Sequence, residues 1–322
     1  MAAADADSHS RRGGVATVTH LALVGPTASG KSALALGAAR VLGDVEIVSL
    51  DSMQVYRGLD VGTAKPTVAE RSAVPHHVID VAEPTEEWSA MRHQAAARAA
   101  VSGIAARGKR ALLVGGTGLY VQAVVDDLRF PSEDPDLRAD LEATTAEPGG
   151  VAAAYEELQR RDPDAAEKID PHNARRIVRA LEVIRLTGKP FSSFGAGLDQ
   201  FGPTAFPVRM VGVWVPRDTL NAHIATRFAA MRDAGLVDEV RRLLDGPPLS
   251  RTASQAIGYK EIIGAISDHG SLDDAFETAV RRTRSFARRQ RMWFRRDPRI
   301  TWLGATDNHC AVLPALLATW SS

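Results

Sequence analysis

"GPTASGKS", residues 25–32, decides how this chain is read. It fits the pattern G-x-x-x-x-G-K-[ST]. Before it stands the apolar run "VTHLALV", and after it a segment of helical periodicity that opens at Lys31-Ser32 and carries Leu34, Leu36 and Val41 among alanines. Strand, Gly-containing loop and helix, in that order, make a cradle for phosphate oxygens. Backbone N–H groups turn inward, the helix N-terminus adds its dipole, Lys31 adds a full positive charge, and the Ser32 hydroxyl is placed to ligate Mg²⁺. The candidate phosphate-binding residues are Gly25, Pro26, Thr27, Ala28, Ser29, Gly30, Lys31 and Ser32, with Ser32 as the metal ligand. The loop does not say what the phosphates are attached to, and ATP or GTP is its ordinary occupant.

The alternation continues outward from the loop. "DVEIVSLDS" is a short apolar run ending at Asp51 and reads as a second buried parallel strand, and "HHVIDV" (76–81) reads as a third. "WSAMRHQAAARAAVSGIAARGK" is an Ala-rich helix that stops near Gly108, and "RALLVGGTGLY" is another buried strand followed by a glycine turn. The expected class is α/β, a P-loop-type parallel sheet core flanked by helices. After Phe130 the pattern is helical until "FPVRMVGVWVPR" (206–217) returns to the strand pattern. Residues 131–206 therefore read as an all-helical insertion domain, and residues 16–130 and 207–310 as the core with its C-terminal helices. "RITWLGA" reads as a last strand, and residues 1–15 as a disordered leader.

Composition narrows the function classes. The 322 residues are 45% hydrophobic, enough for a large core. Charge is balanced, 39 Lys+Arg against 39 Asp+Glu, so any nucleic-acid surface is a local patch. A single cysteine, Cys310, excludes an intrachain disulfide and a cysteine zinc cluster, and fits a reducing cytosol. No apolar run of about 18 residues marks a membrane span.

Two features accompany the loop. Asp51 ends its strand, and the reading sets it beside the phosphate loop on a neighbouring strand, pointing into the crevice at the C-terminal edge of the sheet. There a carboxylate ligates metal or acts as a general base; the competing reading is an N-cap for the following turn. "VGGTGLY" (114–120) belongs on the same edge: Gly115, Gly116 and Gly118 permit close backbone approach, and Thr117 supplies a hydroxyl.

Taken in order, "GPTASGKS", "DSMQVYRGLDVGTAKPT", "PHHVID", "LLVGGTGLY", "DPHNARRIVRALEV", "AIGYKE" and "RRQRMWFRR" resemble the bacterial tRNA dimethylallyltransferases, from about Leu21 to Trp302. The resemblance implies that the loop holds the diphosphate of dimethylallyl diphosphate. The acceptor would be N6 of the adenosine 3′ of the anticodon, turned out of its stack into the protein. It implies Asp51 as the base, Thr117 at the reacting centre, Lys31 and Arg227 on the diphosphate, and Mg²⁺ as cofactor. It implies tRNA contacts at Asp51, Ser52, Met53 and Gln54, at Thr117 and Arg138, at Arg175, Arg176, Ile177, Val178 and Arg179, and at Gln255, Ala256, Ile257, Gly258, Tyr259 and Lys260. Gln54, Gln255 and Tyr259 are candidates for base-edge bonds and stacking.

The most basic stretch, Arg281–Arg299, is expected to turn some of Phe286, Trp293 and Phe294 inward and to lay part of its arginines on the tRNA backbone. Gln255 stands where some family members carry arginine. The expected partners are the tRNA anticodon stem-loop and dimethylallyl diphosphate, for a monomeric cytoplasmic enzyme with no membrane association. The alternatives are an adenylate isopentenyltransferase, which has no use for a helical clamp, a P-loop kinase or RNA-dependent NTPase, and a non-catalytic tRNA-binding protein.

Overall fold

The computed structural model describes residues 19–126, 128–194, 198, 200–304 and 308–321. The expected leader, residues 1–15, lies outside them. In chain order the elements are β1 (His20–Val24), α1 (Lys31–Leu42), β2 (Val45–Ser49), α2 (Val68–Ala73), β3 (His76–His77), α3 (Ala90–Ala106), β4 (Arg110–Gly115) and α4 (Gly118–Val125). Four helices follow: α5 (Pro135–Ala146), α6 (Gly150–Arg161), α7 (Pro163–Lys168) and α8 (Ala174–Thr187). The chain then returns through β5 (Val208–Trp214), α9 (Arg217–Asp233), α10 (Leu236–Leu244), α11 (Arg251–Ser254), α12 (Tyr259–Ser267), α13 (Leu272–Phe294), β6 (Ile300–Gly304) and α14 (Leu313–Ser321).

The strands form one sheet in the order β3-β2-β4-β1-β5-β6. Every pairing is parallel. The middle strands are continuous apolar runs because helices cover both faces; β1, "HLALV", is buried at all five positions. Helix ends follow local chemistry. Gly43 closes α1 in the left-handed conformation, its N–H reaching the Ala39 carbonyl. Asn173 caps α8 by accepting from the Arg176 N–H, and Ser271 caps α13 by accepting from the Asp274 N–H.

Two expectations are corrected. β2 is not next to β1: β4 runs between them, pairing with both. "HHVIDV" is strand only at His76–His77, because Val78 (φ 62°) and Asp80 (φ 55°) take left-handed backbone and bend the chain away. There Asp80 accepts from Lys65 Nζ at 2.6 Å and from Arg71 at 2.6 Å, and the same buried Lys65 donates to the Tyr56 carbonyl at 2.7 Å. This ion-pair centre shapes the long loop after Asp51, where a strand would have shown only apolar alternation.

Helix α14 has no counterpart among the expected elements. It packs Leu316 and Trp320 into the core. The Trp320 indole N–H donates to the Thr19 carbonyl at 2.9 Å, and the Arg110 guanidinium lies 4.8 Å above the ring.

Helices α5–α8 bury an apolar cluster of their own, centred on Leu158, Ile177, Val178, Leu181 and Ile184. At its margin Glu182 is fully buried. It accepts from Arg138 at 3.0 Å, from Arg179 at 2.9 Å and from the Asp134 N–H at 2.9 Å, and so fixes α8 to the start of α5. No described helix is long and apolar enough to cross a membrane.

Glu46 on β2 is another buried anion, bonded by His77 at 2.7 Å and Arg107 at 2.6 Å and paired with Lys109 at 3.1 Å. Burial pushes its pKa up, but the hydrogen bonds from Arg107, His77 and Lys109 outweigh burial and hold it at about 2. A carboxyl depressed on folding stabilises above its unfolded pKa, and that stability is lost as pH falls through the folded value. Glu46→Gln is expected to cost about 3 kcal/mol at pH 7. The difference from wild type should shrink below about pH 4.5, as the unfolded carboxylate takes up its proton while the native one stays ionised. Urea unfolding of both proteins from pH 7 down to pH 3 checks this; a pH-independent difference would refute it.

Candidate active site

The C-terminal ends of β1, β4 and β2 bring three loops to one edge. Leu50 follows β2, and its N–H donates to the Val114 carbonyl at 2.8 Å, pressing the start of the Asp51 loop onto β4. A Cβ on Gly115 would lie 2.6 Å from Leu50 Cβ and 2.7 Å from the Leu50 carbonyl oxygen. A Cβ on Gly116 would lie 3.0 Å from the Gly25 carbonyl oxygen of the phosphate loop. A Cβ on Gly118 would run into the Trp293 indole. The glycines of "VGGTGLY" are thus needed for close approach, and Thr117 is held between the phosphate loop and Asp51.

In the phosphate loop Gly30 (φ 84°) and Ala28 (φ 61°) are left-handed, which curls the backbone toward the α1 N-terminus. Lys31 is buried; its ammonium donates to the Pro26 carbonyl at 2.5 Å and the Ser29 hydroxyl at 3.4 Å. Burial, and then the Arg227 guanidinium, pull Lys31 down to about 7, while Asp51 pulls the other way. Arg227 is itself lowered by burial and raised by Asp51. The four residues expected to be catalytic therefore come to one edge, three of them coupled by charge.

Helix α9 lies over the loop. Arg227 reaches Thr27 Oγ1 and the Thr63 carbonyl, each at 3.4 Å, and His223, one turn earlier, bonds the Ala28 carbonyl at 3.2 Å. Ser32 is exposed at the first turn of α1. Among the described residues no cluster of three or more His, Cys, Asp or Glu side chains could hold a metal ion. The donors present are hard oxygens, Ser32 Oγ and Asp51, which suit Mg²⁺ bound mainly through phosphate oxygens.

Asp51 caps the turn through one carboxylate oxygen and, among the described residues, leaves the other without a hydrogen bond. Oδ1 accepts from the Met53 N–H at 2.8 Å and the Gln54 N–H at 3.4 Å, and Oδ2 is the oxygen left over. Gln54 is committed to its surroundings. It accepts from Ser49 Oγ at 2.9 Å and donates to the Thr63 and Ala64 carbonyls at 3.3 and 3.4 Å. Ser52 and Met53 are half-buried.

The outer segments divide. Arg175 and Arg176 are exposed on α8, and Arg175 and Asp51 both act on the Tyr120 hydroxyl, which burial pushes up. The Ile177 and Val178 side chains lie inside the helical cluster, and Arg138 and Arg179 are held by Glu182. Burial of the Ile177 and Val178 side chains is a correction to reading them as RNA contacts, while Arg138 and Arg179 are paired with Glu182 and partly exposed.

In the "QAIGYK" segment Gln255 and Lys260 are exposed and joined at 2.6 Å, Ile257 is half-buried, and Ala256 and Gly258 are buried. Tyr259 is 1% exposed. Its hydroxyl donates to Glu239 at 2.5 Å and accepts from the Gly62 N–H at 3.1 Å. It is a core residue, unable to stack on a base from this position.

Some supporting residues escaped the sequence reading. Glu239 accepts from the Asp60, Val61 and Gly62 N–H groups at 3.1, 2.9 and 3.3 Å and so ties the Asp51 loop to α10. Gln290, on α13, touches both the phosphate loop and Gly116. In the basic run Phe294 is buried, Trp293 and Phe286 are half-buried, and Arg296 stacks 4.5 Å over Trp293. Signals for Gln290 and His223 existed. Gln290 falls on the buried stripe Thr283, Ala287, Gln290, Phe294, and His223 is four residues before Arg227. Glu239 offered no such signal.

Comparison with known proteins agrees with this arrangement. The family model described as IPP transferase matches residues 54–297, and that described as isopentenyl transferase matches residues 18–80. The chain is 50% identical to the tRNA dimethylallyltransferase of Kineococcus radiotolerans, over 91% of this chain and 93% of the relative. It is 47% identical to that of Streptomyces coelicolor, over 92% and 93%. Its fold is similar to the tRNA isopentenylpyrophosphate transferase of Bacillus halodurans, with TM-score 0.67, 37% identity and 95% and 98% of the two chains covered. It is also similar to a eukaryotic dimethylallyltransferase solved while acting on tRNA, with TM-score 0.76, 28% identity and 90% and 75% covered. With the phosphate loop, the Thr117 turn and Asp51 meeting on one edge, and with matches at this identity over nearly the whole chain, the protein belongs to the IPP transferase family of tRNA dimethylallyltransferases.

Proposed function

We propose that this chain transfers a dimethylallyl group from dimethylallyl diphosphate to N6 of the adenosine 3′ of the anticodon in tRNA, releasing diphosphate. The observation that carries the reading is the convergence of a phosphate cradle, a free carboxylate oxygen and the Thr117 turn on one sheet edge. The N–H groups of residues 28–32, with Lys31 and Arg227, bind the diphosphate and stabilise the charge that grows on it as the C1–O bond breaks. The adenine amine attacks C1, and its proton passes to Asp51 Oδ2. Thr117 orients the amine. Ser32, with the diphosphate oxygens, would hold Mg²⁺, and the ion would supply neutralisation of leaving-group charge.

The exposed Arg175 and Arg176 bind the anticodon-stem backbone, and Gln255 and Lys260 belong to a second contact surface. Part of the arginine face of α13 extends the positive surface, for a monomeric enzyme of the cytoplasm.

Mass spectrometry of undermodified tRNA after incubation with the protein, dimethylallyl diphosphate and Mg²⁺ tests the reaction. A mass gain of one prenyl group on the adenosine is expected; ATP hydrolysis without prenyl transfer would overturn the reading. Asp51→Asn should lower the single-turnover rate by about 10²–10⁴-fold, with tRNA affinity retained. Lys31→Ala should lose diphosphate affinity and rate together, as read by pyrophosphate titration and kinetics. Arg175→Ala and Arg176→Ala should each weaken tRNA binding and reduce the slope of log K against log salt by about one. An unchanged slope would leave them as surface charges.

A further inference from the structure

Gln290 sits near the C-terminal end of α13, among arginines, yet is only 5% exposed. Its side chain makes two hydrogen bonds to backbone groups far away in sequence. Oε1 accepts from the Thr27 N–H of the phosphate loop at 2.8 Å. Nε2 donates to the Gly116 carbonyl, beside Thr117, at 2.8 Å. The first partner can only donate and the second can only accept, so a carboxamide fits and in one orientation. A carboxylate would leave the Gly116 carbonyl facing a negative oxygen, and an apolar side chain would leave both backbone groups unpaired. The fit is tight as well: a Cβ on Gly116 would come within 2.5 Å of Nε2.

We propose that Gln290 is a positioning residue for prenyl transfer, a reading that rests on the function given above. It fixes the spacing between the loop that grips the leaving diphosphate and the turn that orients the attacking amine. Displacement needs the leaving oxygen, the allylic carbon and the nitrogen close to one line, and each end of that line is set by a different loop. The sheet alone sets those loops only through strand register. The carboxamide joins them beyond the strand ends, where the reacting atoms would lie. Gln290 touches no reacting atom in this role; it acts through Thr27 and Gly116.

Gln290→Leu, with Gln290→Glu as a second variant of nearly unchanged size, tests this in the full-length protein. Four quantities are read: melting temperature, affinity for inorganic pyrophosphate, the single-turnover rate of prenyl transfer at saturating substrates, and hydrogen exchange at the Thr27 amide. Misplacement of the order of an ångström slows such reactions by about 10–10²-fold. That loss is expected in the rate of folded Gln290→Leu, with pyrophosphate affinity kept within about threefold and Thr27 exchange faster by about tenfold or more. If the leucine variant fails to fold, Gln290→Glu is expected to lose the same rate, with weaker pyrophosphate binding from its added charge. A folded variant with the wild-type rate, or with unchanged Thr27 exchange, would overturn the proposal. So would a rate loss matching the loss of folded protein. Wild-type inactivity with both substrates would remove the functional reading itself, and the proposal with it.

Discussion

Everything at the active edge depends on backbone meeting backbone without side chains between. Gly115 lies against the Leu50 carbonyl and Gly116 against the Gly25 carbonyl, distances at which a single methyl group would force the loops apart. A parallel sheet supplies the strand spacing, but the loops beyond its C-terminal ends are normally held apart by their own side chains. Removing Cβ atoms from β4's exit lets the phosphate loop, the Thr117 turn and the Asp51 turn share one crevice. Strand order then makes sense of the chemistry. Because β4 runs between β1 and β2, the Thr117 turn leaves the sheet between the phosphate loop and the Asp51 turn.

Around this edge the protein uses buried charge sparingly and pairs it each time. Lys65 is held by Asp80 and Asp60, Glu239 by three backbone N–H groups and Tyr259, and Glu182 by two arginines. Each fixes a loop or helix end that apolar packing would leave free to slide. Lys31 differs: burial and Arg227 depress it, and only Asp51 opposes them. A cation held so near neutrality, beside a second one, is an arrangement that an anion would stabilise strongly.

The sheet was legible in the sequence wherever a strand is buried on both faces, because such strands leave continuous apolar runs, as in "HLALV" and "ALLVG". The same was true of the phosphate loop, whose spacing is dictated by its job. What stayed hidden was long-range. That β4 separates β1 from β2 follows from packing, which no local pattern encodes. Tyr259 is a candidate for stacking on a base by its ring and by the resemblance, but it is buried and its hydroxyl is spent on Glu239, 20 residues away. Arg179 reads as part of a cationic clamp with Arg175 and Arg176, and nothing local to it announces its pairing, beside Arg138, with the fully buried Glu182. Helix α14 was missed since its short apolar segment carries little periodicity against the strands before it.

The pairing of β1 has a consequence for how the molecule is made. The strand that carries the phosphate loop is made well before its β5 partner, which ends at Trp214, and before the α13 amide that secures its loop, 263 residues downstream of Thr27. Until β5 is made, the nascent centre of the sheet is an unprotected margin, the kind of edge that invites mispairing. Helices α5–α8, emerging in that interval, close on their own apolar cluster and need nothing from the unfinished sheet. The phosphate loop and the Thr117 turn are therefore tied to each other only once Gln290 has been made.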